Sequence, residues 1–483
     1  MSVLGIKERW NRVPLMAKAS VAYAVCSILQ RCMSFVTVPI FTRLLTTEQY
    51  GQYVVYQSWS GILSILLTLN LAYGSFSTAM IKFEDDRKGY ISSVEGISIT
   101  LSVLFLIIYL PVRSLWNGLF ELPTCLILLM IAEILGMTAI QLWSGKNRFE
   151  YKYKTVVLLT ILMSVLSPSI AYVCVINSSE KGIARIFGYS IVTVIFGAFF
   201  FVWNAKEGKK VFCKEYWKYA LGFNVPLLAY YFSQVIFNQS DRIMISHMIG
   251  KDKAAVYGVA YTLAMILTFV LSAINNSYVP WFYGKIKEGK QEENKVVSLY
   301  IAGIMAVLLL GVIWFAPEMI MILGGKEYIE AVYVVPPVAL SLLLLFYSQL
   351  FINVEFFYEE KGKLVWASIS AALVNLVLNW IFIGRFGFVA AAYTTLISYI
   401  LFVVGNYCTM KQLLKEKKQE DKSYDYKGLL LILGGFIVVS VIGTMLFSWL
   451  WIRIIIAALV LIIILLSRKS LIRVYKEFKV KNN

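Results

Sequence analysis

Apolar stretches of roughly twenty residues, separated by short polar connections, recur along almost the whole chain. At about 1.5 Å of rise per residue, each is long enough for one helix to cross the hydrocarbon core of a bilayer. The stretches lie near Leu15–Ile40, Tyr53–Tyr73, Val94–Val112, Leu119–Leu142, Thr155–Ile176, Ile183–Val202, Tyr219–Ser240 and Val256–Val279. Six more follow near Val297–Ala316, Ile329–Asn353, Leu364–Gly384, Phe388–Cys408, Leu429–Phe447 and Trp451–Leu466. The pattern predicts an all-α polytopic membrane protein with about fourteen transmembrane helices; the last stretch is short, so twelve or thirteen also fit. The first is too long for a signal-peptide core and has no small-residue cleavage site, so it reads as an uncleaved span.

The connections alternate between lysine-rich and lysine-poor. With the N-terminus on the cytoplasmic side, the cytoplasmic segments carry 34 of the 45 Lys and Arg, and both termini are cytoplasmic. Arg31 is the one cation inside the first span. This spread makes the net charge of +17 a topology determinant facing anionic lipid rather than a nucleic-acid footprint. The expected location is a cell membrane whose cytoplasmic side faces the basic connections.

Hydrophobic residues make up 59% of the 483, about what fourteen spans consume, so no soluble domain with its own core is left over. The six cysteines lie mostly within spans and form no C-x-x-C pair, a Walker A sequence is absent, and the single histidine, His247, rules out H-E-x-x-H chemistry. No cofactor or metal and no enzymatic activity are expected. A polysaccharide polymerase or ligase would place its chemistry in a long exoplasmic loop, and these loops are brief.

Six spans precede the basic segment 206–218 and six follow it, as expected for a six-span unit duplicated in parallel. The division expected is 1–205 as a first lobe, 206–415 as a second, and 416–483 as a helix pair with a basic tail. In the first span, Ser20, Ser27, Arg31 and Ser34 share one helical face, with Gln30 beside them; in the seventh, Asn224, Tyr231, Gln234, Asn238 and Asp241 do the same. An offset of 207 superposes Ser27, Arg31 and Ser34 on Gln234, Asn238 and Asp241. Both stripes are expected to face hydrated or protein surroundings, because unpaired polar groups cost several kcal/mol in lipid.

Arg31 in mid-span is expected to face a cavity or a carboxylate, and Glu133 is either its structural partner or a proton-coupling group. Arg43, Asp241 and Arg242 lie toward the exoplasmic ends, as vestibule or interface residues. Glu355, Glu359 and Glu360 beside Lys361 and Lys363 read as a solvated charge cluster. Pro226 is a candidate hinge, whereas Pro39 and Pro280 read as helix-end punctuation.

Several segments together resemble bacterial polysaccharide flippases of the Wzx type, in the superfamily that also holds MATE multidrug exporters and the lipid II flippase MurJ. They are Thr42-Arg43-Leu44-Leu45 leading into Glu48-Gln49-Tyr50-Gly51, Phe223-Asn224-Val225-Pro226 followed by Ser240-Asp241-Arg242-Ile243, and Ala255-Val256-Tyr257-Gly258. Asn375-Leu376-Val377-Leu378-Asn379 and Phe386-Gly387-Phe388-Val389-Ala390-Ala391-Ala392-Tyr393-Thr394-Thr395 complete the resemblance, with Val389-Ala390 departing from the usual second glycine.

The resemblance implies two six-helix lobes in a V around a central cavity, two added C-terminal helices, and an undecaprenyl-diphosphate-linked oligosaccharide as substrate. Partners would be that lipid, membrane lipids, and a polymerase and chain-length regulator of the same pathway. Candidate substrate-binding residues are Gln30, Arg31, Arg43, Asn224, Tyr231, Gln234, Asn238 and Arg242; candidate ion-coupling residues are Glu133 and Asp241. A lipid II flippase is the nearest rival. A MATE-like exporter of cationic drugs would need a more acidic cavity.

Overall fold

The computed structural model describes residues 14–358, 362–456 and 458; the side chains of Ala17, Arg31, Ser34, Ile266 and residues 362–365 lie outside the described set. Every regular element among the described residues is helical. The long helices are α1 (Leu15–Leu44), α2 (Thr47–Thr68), α3 (Arg87–Tyr109), α4 (Thr124–Phe149), α5 (Tyr153–Ile176) and α6 (Lys181–Gly208). They continue with α7 (Lys214–Met248), α8 (Lys251–Lys287), α9 (Glu293–Trp314), α10 (Val335–Phe357), α11 (Gly362–Phe386), α12 (Val389–Glu416) and α13 (Tyr426–Met445). Short helices at Phe76–Lys82, Arg113–Phe120 and Ala316–Leu323 cap the connections.

Twelve of these thirteen are long and apolar enough to cross a membrane; α2 is the exception. The predicted fourteenth stretch is described only as far as a helical segment that includes Trp451 and Arg453. Apolar side chains such as Ile107, Ile108, Leu158, Leu430, Leu431 and Trp380 remain exposed, as expected where lipid is the solvent.

Helix ends differ from the apolar boundaries for physical reasons. α4 runs on to Phe149 through Lys146 and Arg148, because basic residues favour a helix C-terminus. α2 starts earlier than expected, at a capping box: Thr46 Oγ1 accepts the Gln49 amide (3.2 Å) and Gln49 Oε1 accepts the Thr46 amide (3.1 Å). Pro39 and Pro280, expected at helix ends, lie inside α1 and α8. Each helix continues past the one lost hydrogen bond because flanking turns stay packed. At Pro226, in contrast, α7 breaks into a 3-10 turn over Val225–Leu227.

In the first half, α6 packs on α3, α4 and α5, and α1 on α5. The α4–α6 crossing is close: a Cβ on Gly197 would fall 2.1 Å from Gly136 Cα. In the second half, α12 packs on α10 and α11, and α7 on α11. α13 lies against α9 and α10. Arg453, 1% exposed, forks onto Glu318 (2.8 and 2.6 Å) and donates to the carbonyls of Trp314, Leu446 and Phe447, tying the segment after α13 to the end of α9.

Candidate functional site

The two halves meet at the lysine-poor end along α2 and α8, and at the lysine-rich end through Tyr216, Trp217 and Asn224 of α7, which donate to Asp86, the Ser93 carbonyl and Ser75. A Cβ on Gly51 would fall 1.9 Å from the Lys251 carbonyl oxygen, so only glycine lets α2 approach the start of α8 this closely. One helical level deeper, Gly258 packs under Val54. Around this contact Thr42 Oγ1 donates to Leu323 O (2.5 Å), Arg43 Nη2 to Ile322 O (3.0 Å), and Lys251 Nζ to Glu121 O (3.2 Å). Ser246 donates to Glu121, and the Tyr50 and Tyr328 rings meet edge to face at 6.0 Å. These hydrogen bonds and ring contacts form a seam.

A polar cavity of about 520 Å³ lies in the first half among α1, α4, α5 and α6. Its lining runs from Arg148, Phe149 and Ser77 at the lysine-rich end, past Gln30, Gln141, Ser144, Thr160 and Ser164, to Tyr189 and Thr193. Arg148, exposed on the last turn of α4, lies 5.1 Å over the Tyr23 ring. Beside the inner end, Glu133 Oε2 accepts from Tyr56 Oη (2.7 Å) and Ser190 Oγ (2.6 Å).

The second half holds a buried hydrogen-bonded network around Asp241, which is 2% exposed. Its carboxylate accepts from Tyr257 of α8 (2.6 Å), Asn379 of α11 (2.6 Å) and Thr395 of α12 (2.8 Å). Asn375 extends the network, donating to Thr395 Oγ1 (3.0 Å) and accepting from Ser240 (3.3 Å) and Asn379 (3.2 Å). Three neutral donors thus converge on one buried carboxylate and satisfy it without a cationic partner. No group of three or more His, Cys, Asp or Glu that could hold a metal occurs among the described residues.

Among the predicted binding residues, Gln30 lines the cavity, and the Arg31 side chain lies outside the described residues. The polar stripe of α7 is hydrogen-bonded by neighbouring helices. Gln234 donates to Ser368 of α11 (2.6 Å), Asn238 accepts from Tyr261 of α8 (3.1 Å), and Asp241 joins its network, because neighbouring helices offer partners that lipid cannot. Asn224, fully buried, donates to Ser75 (2.8 Å), and Tyr231 lies against Gly74. Arg43 belongs to the seam. Arg242 stacks at 4.1 Å on Tyr261 and donates to Gln239 Oε1 (2.6 Å). Of the expected charge cluster, Glu355 is fully buried, while Glu359, Glu360 and Lys361 lie outside the described residues.

Among the buried or cavity charges that the sequence analysis does not single out are Arg148, Glu95 and Arg185. Arg148 lies in a basic connection, Glu95 just inside the third apolar stretch, and Arg185 just inside the sixth. Glu95, 3% exposed, accepts from Asn204 (2.7 Å). Helical spacing from neighbouring polar residues (Ser92, Glu95, Ser98; Arg185, Tyr189, Thr193) was the available signal.

Residues 226–381 match the family described as MatE. A Haemophilus influenzae protein named for the Lsg locus is 22% identical over 380 residues, covering 74% of this chain and 88% of that protein. Among solved structures, the lipid II flippase MurJ in an inward closed conformation aligns with a TM-score of 0.69 at 15% identity, covering 93% of this chain and all of that one. A multidrug resistance MATE transporter of the MOP superfamily, inward-facing, gives 0.64 at 16% identity, with 83% of this chain and all of the other covered. The fold is therefore that of MOP-superfamily transporters. Residues 16–284, more than half of the sequence, match the family described as polysaccharide biosynthesis protein, and the chain belongs to that family.

Proposed function

We propose that the protein is a flippase, not an enzyme, that carries undecaprenyl-diphosphate-linked oligosaccharide repeat units from the cytoplasmic to the outer leaflet of a bacterial inner membrane. The lysine-rich face is cytoplasmic in this reading, and both termini lie there. The observation that carries it is a polar, cation-bearing cavity reaching toward the lysine-rich end, beneath a seam closed at the other end. A diphosphate needs cationic or N–H partners shielded from bulk water, and Arg148 and Arg31 supply charge where Gln30 and Gln141 supply amides. The sugar is met by hydroxyls and the Tyr73 and Tyr189 rings.

Transport then runs by alternating access: the 1–205 and 206–415 lobes rock, the seam parts, and the lipid tail stays in the bilayer while the head group crosses. Coupling to an ion gradient runs through Glu133 or Asp241, each a carboxylate held by neutral donors in membrane-spanning helices. A polymerase and a chain-length regulator of the same pathway receive the product.

Mass identification of the lipid-linked glycan that accumulates on the cytoplasmic leaflet when the protein is removed tests this. A surface-polysaccharide repeat unit is expected. Accumulation of the peptidoglycan precursor transfers the function to the lipid II class, and accumulation of no lipid-linked glycan sinks it.

A further inference from the structure

Arg185 lies in α6 one turn outward of Tyr189 and two of Thr193, on the helix face that lines the cavity. It is 3% exposed, and it forms no ion pair among the described residues. Three rings surround its guanidinium, with Cζ 3.7 Å from the Tyr53 centroid, 4.2 Å from Tyr50 and 4.6 Å from Phe41. Aromatic faces solvate the charge of a guanidinium, but its N–H groups point outward in the plane and still need acceptors. Nε and Nη1 are buried and have none. Across the seam Tyr328, fully buried, also has an unpartnered hydroxyl, and its ring packs on Tyr50.

We propose that Arg185 is an occluded anion site that takes a phosphate group of the diphosphate as the seam opens. This rests on the flippase reading and extends it outward by one step. The faces of the guanidinium are covered, while Nε–H and Nη1–H lack acceptors, and charged N–H donors of this kind are what phosphate oxygens accept from. Position supplies the sequence of events. Tyr53 and Tyr189, with ring centroids 6.4 Å apart, separate Arg185 from the cavity, while Tyr50 and Tyr328 separate it from the lysine-poor face. Movement of the first pair admits an anion from the cavity, and parting of the second exposes it on the far side. Arg148 at the cavity mouth and Arg185 beyond its inner end then act in succession.

The test uses the full chain in lipid nanodiscs, with phenylglyoxal modification of Arg185 read by peptide mass. In the native protein little labelling is expected. Tyr328→Ala, which removes the outer cover, should raise labelling severalfold, and inorganic diphosphate or farnesyl diphosphate should suppress that rise. Protection by both probes assigns the site to the diphosphate itself, and protection by farnesyl diphosphate alone assigns it to a lipid-borne head group; either outcome upholds the site. Protection by neither overturns it, as does an Arg185 that stays unlabelled after the cover is removed.

Equilibrium binding provides the second measurement. Arg185→Gln in the Tyr328→Ala background should weaken binding of the protecting probe about tenfold, with Arg185→Lys intermediate, and equal binding by all three overturns the proposal. Should Tyr328→Ala not fold, Tyr50→Ala removes the cover from the other side of the seam. Both readouts are independent of transport. A native protein that moves no lipid-linked glycan sinks the flippase reading while leaving this site measurable.

Discussion

Tyr257 of α8 donates its phenolic hydrogen to Asp241 of α7 at 2.6 Å, joining two helices through a carboxylate that is almost fully enclosed. Tyr257→Phe keeps the ring and removes one of three donors. A hydrogen bond to a charged group is worth about 1.5–3 kcal/mol, so a loss of stability in that range is expected in denaturant titrations of the detergent-solubilised protein. An unchanged midpoint would show that the remaining donors, Asn379 and Thr395, satisfy the carboxylate alone.

Asp241→Asn and Glu133→Gln separate the two coupling candidates. Each preserves shape while removing the ionisable group. The one that couples transport should abolish the response of flipping in proteoliposomes to an imposed proton or sodium gradient, and the other should leave that response intact. A full response in both variants removes both residues from the coupling assignment.

Arg148→Ala should reduce flipping of lipid-linked glycan roughly tenfold or more without altering thermal unfolding, since the side chain is exposed at the cavity mouth. Arg31→Ala should likewise slow flipping of lipid-linked glycan. Normal rates in either variant would remove that residue from the substrate path.

The fork between Arg453 and Glu318 predicts a dependence on pH. Burial disfavours the Glu318 charge, but hydrogen bonds from Arg453 outweigh it and hold the carboxyl below its ordinary value of 4.5. A depressed folded pKa makes the pair fully stabilising above about pH 4.5, with the contribution lost as pH falls through the lower folded value. Unfolding midpoints of native protein and Glu318→Gln should therefore differ near neutrality and converge in acid. A constant difference would refute the pairing as the cause.

Gly51→Leu should push α2 away from Lys251 at the seam, at a cost of about 1–3 kcal/mol for overpacking. Spin labels at Thr47 and Lys253 would then report a longer or broader distance distribution than in the native seam. An unaltered distribution would show that α8 yields without opening the seam.

The fold was readable because lipid imposes one rule on every crossing segment: about twenty apolar residues, all backbone groups bonded within a helix. Asp241 was also readable, from helical spacing. What the spacing could not reveal was the direction the α7 stripe faces. Gln234 and Asn238 find partners in Ser368 and Tyr261, residues distant in sequence that only packing brings near. Arg185 escaped for a related reason. A cation near a span boundary looks interfacial, and the rings that enclose it come from α1 and α2.

The polarity of α2 has a consequence for biogenesis. A segment this polar depends on a protein surface for its place, and that surface comes from both halves: α3, α4 and α6 on one side, and α7 and α8, made more than a hundred residues later, on the other. Until residue 287 leaves the ribosome, α2 lacks its mate. The first half then exposes one polar face of α2 within the membrane, and the α2–α8 contact completes assembly as well as closing the seam.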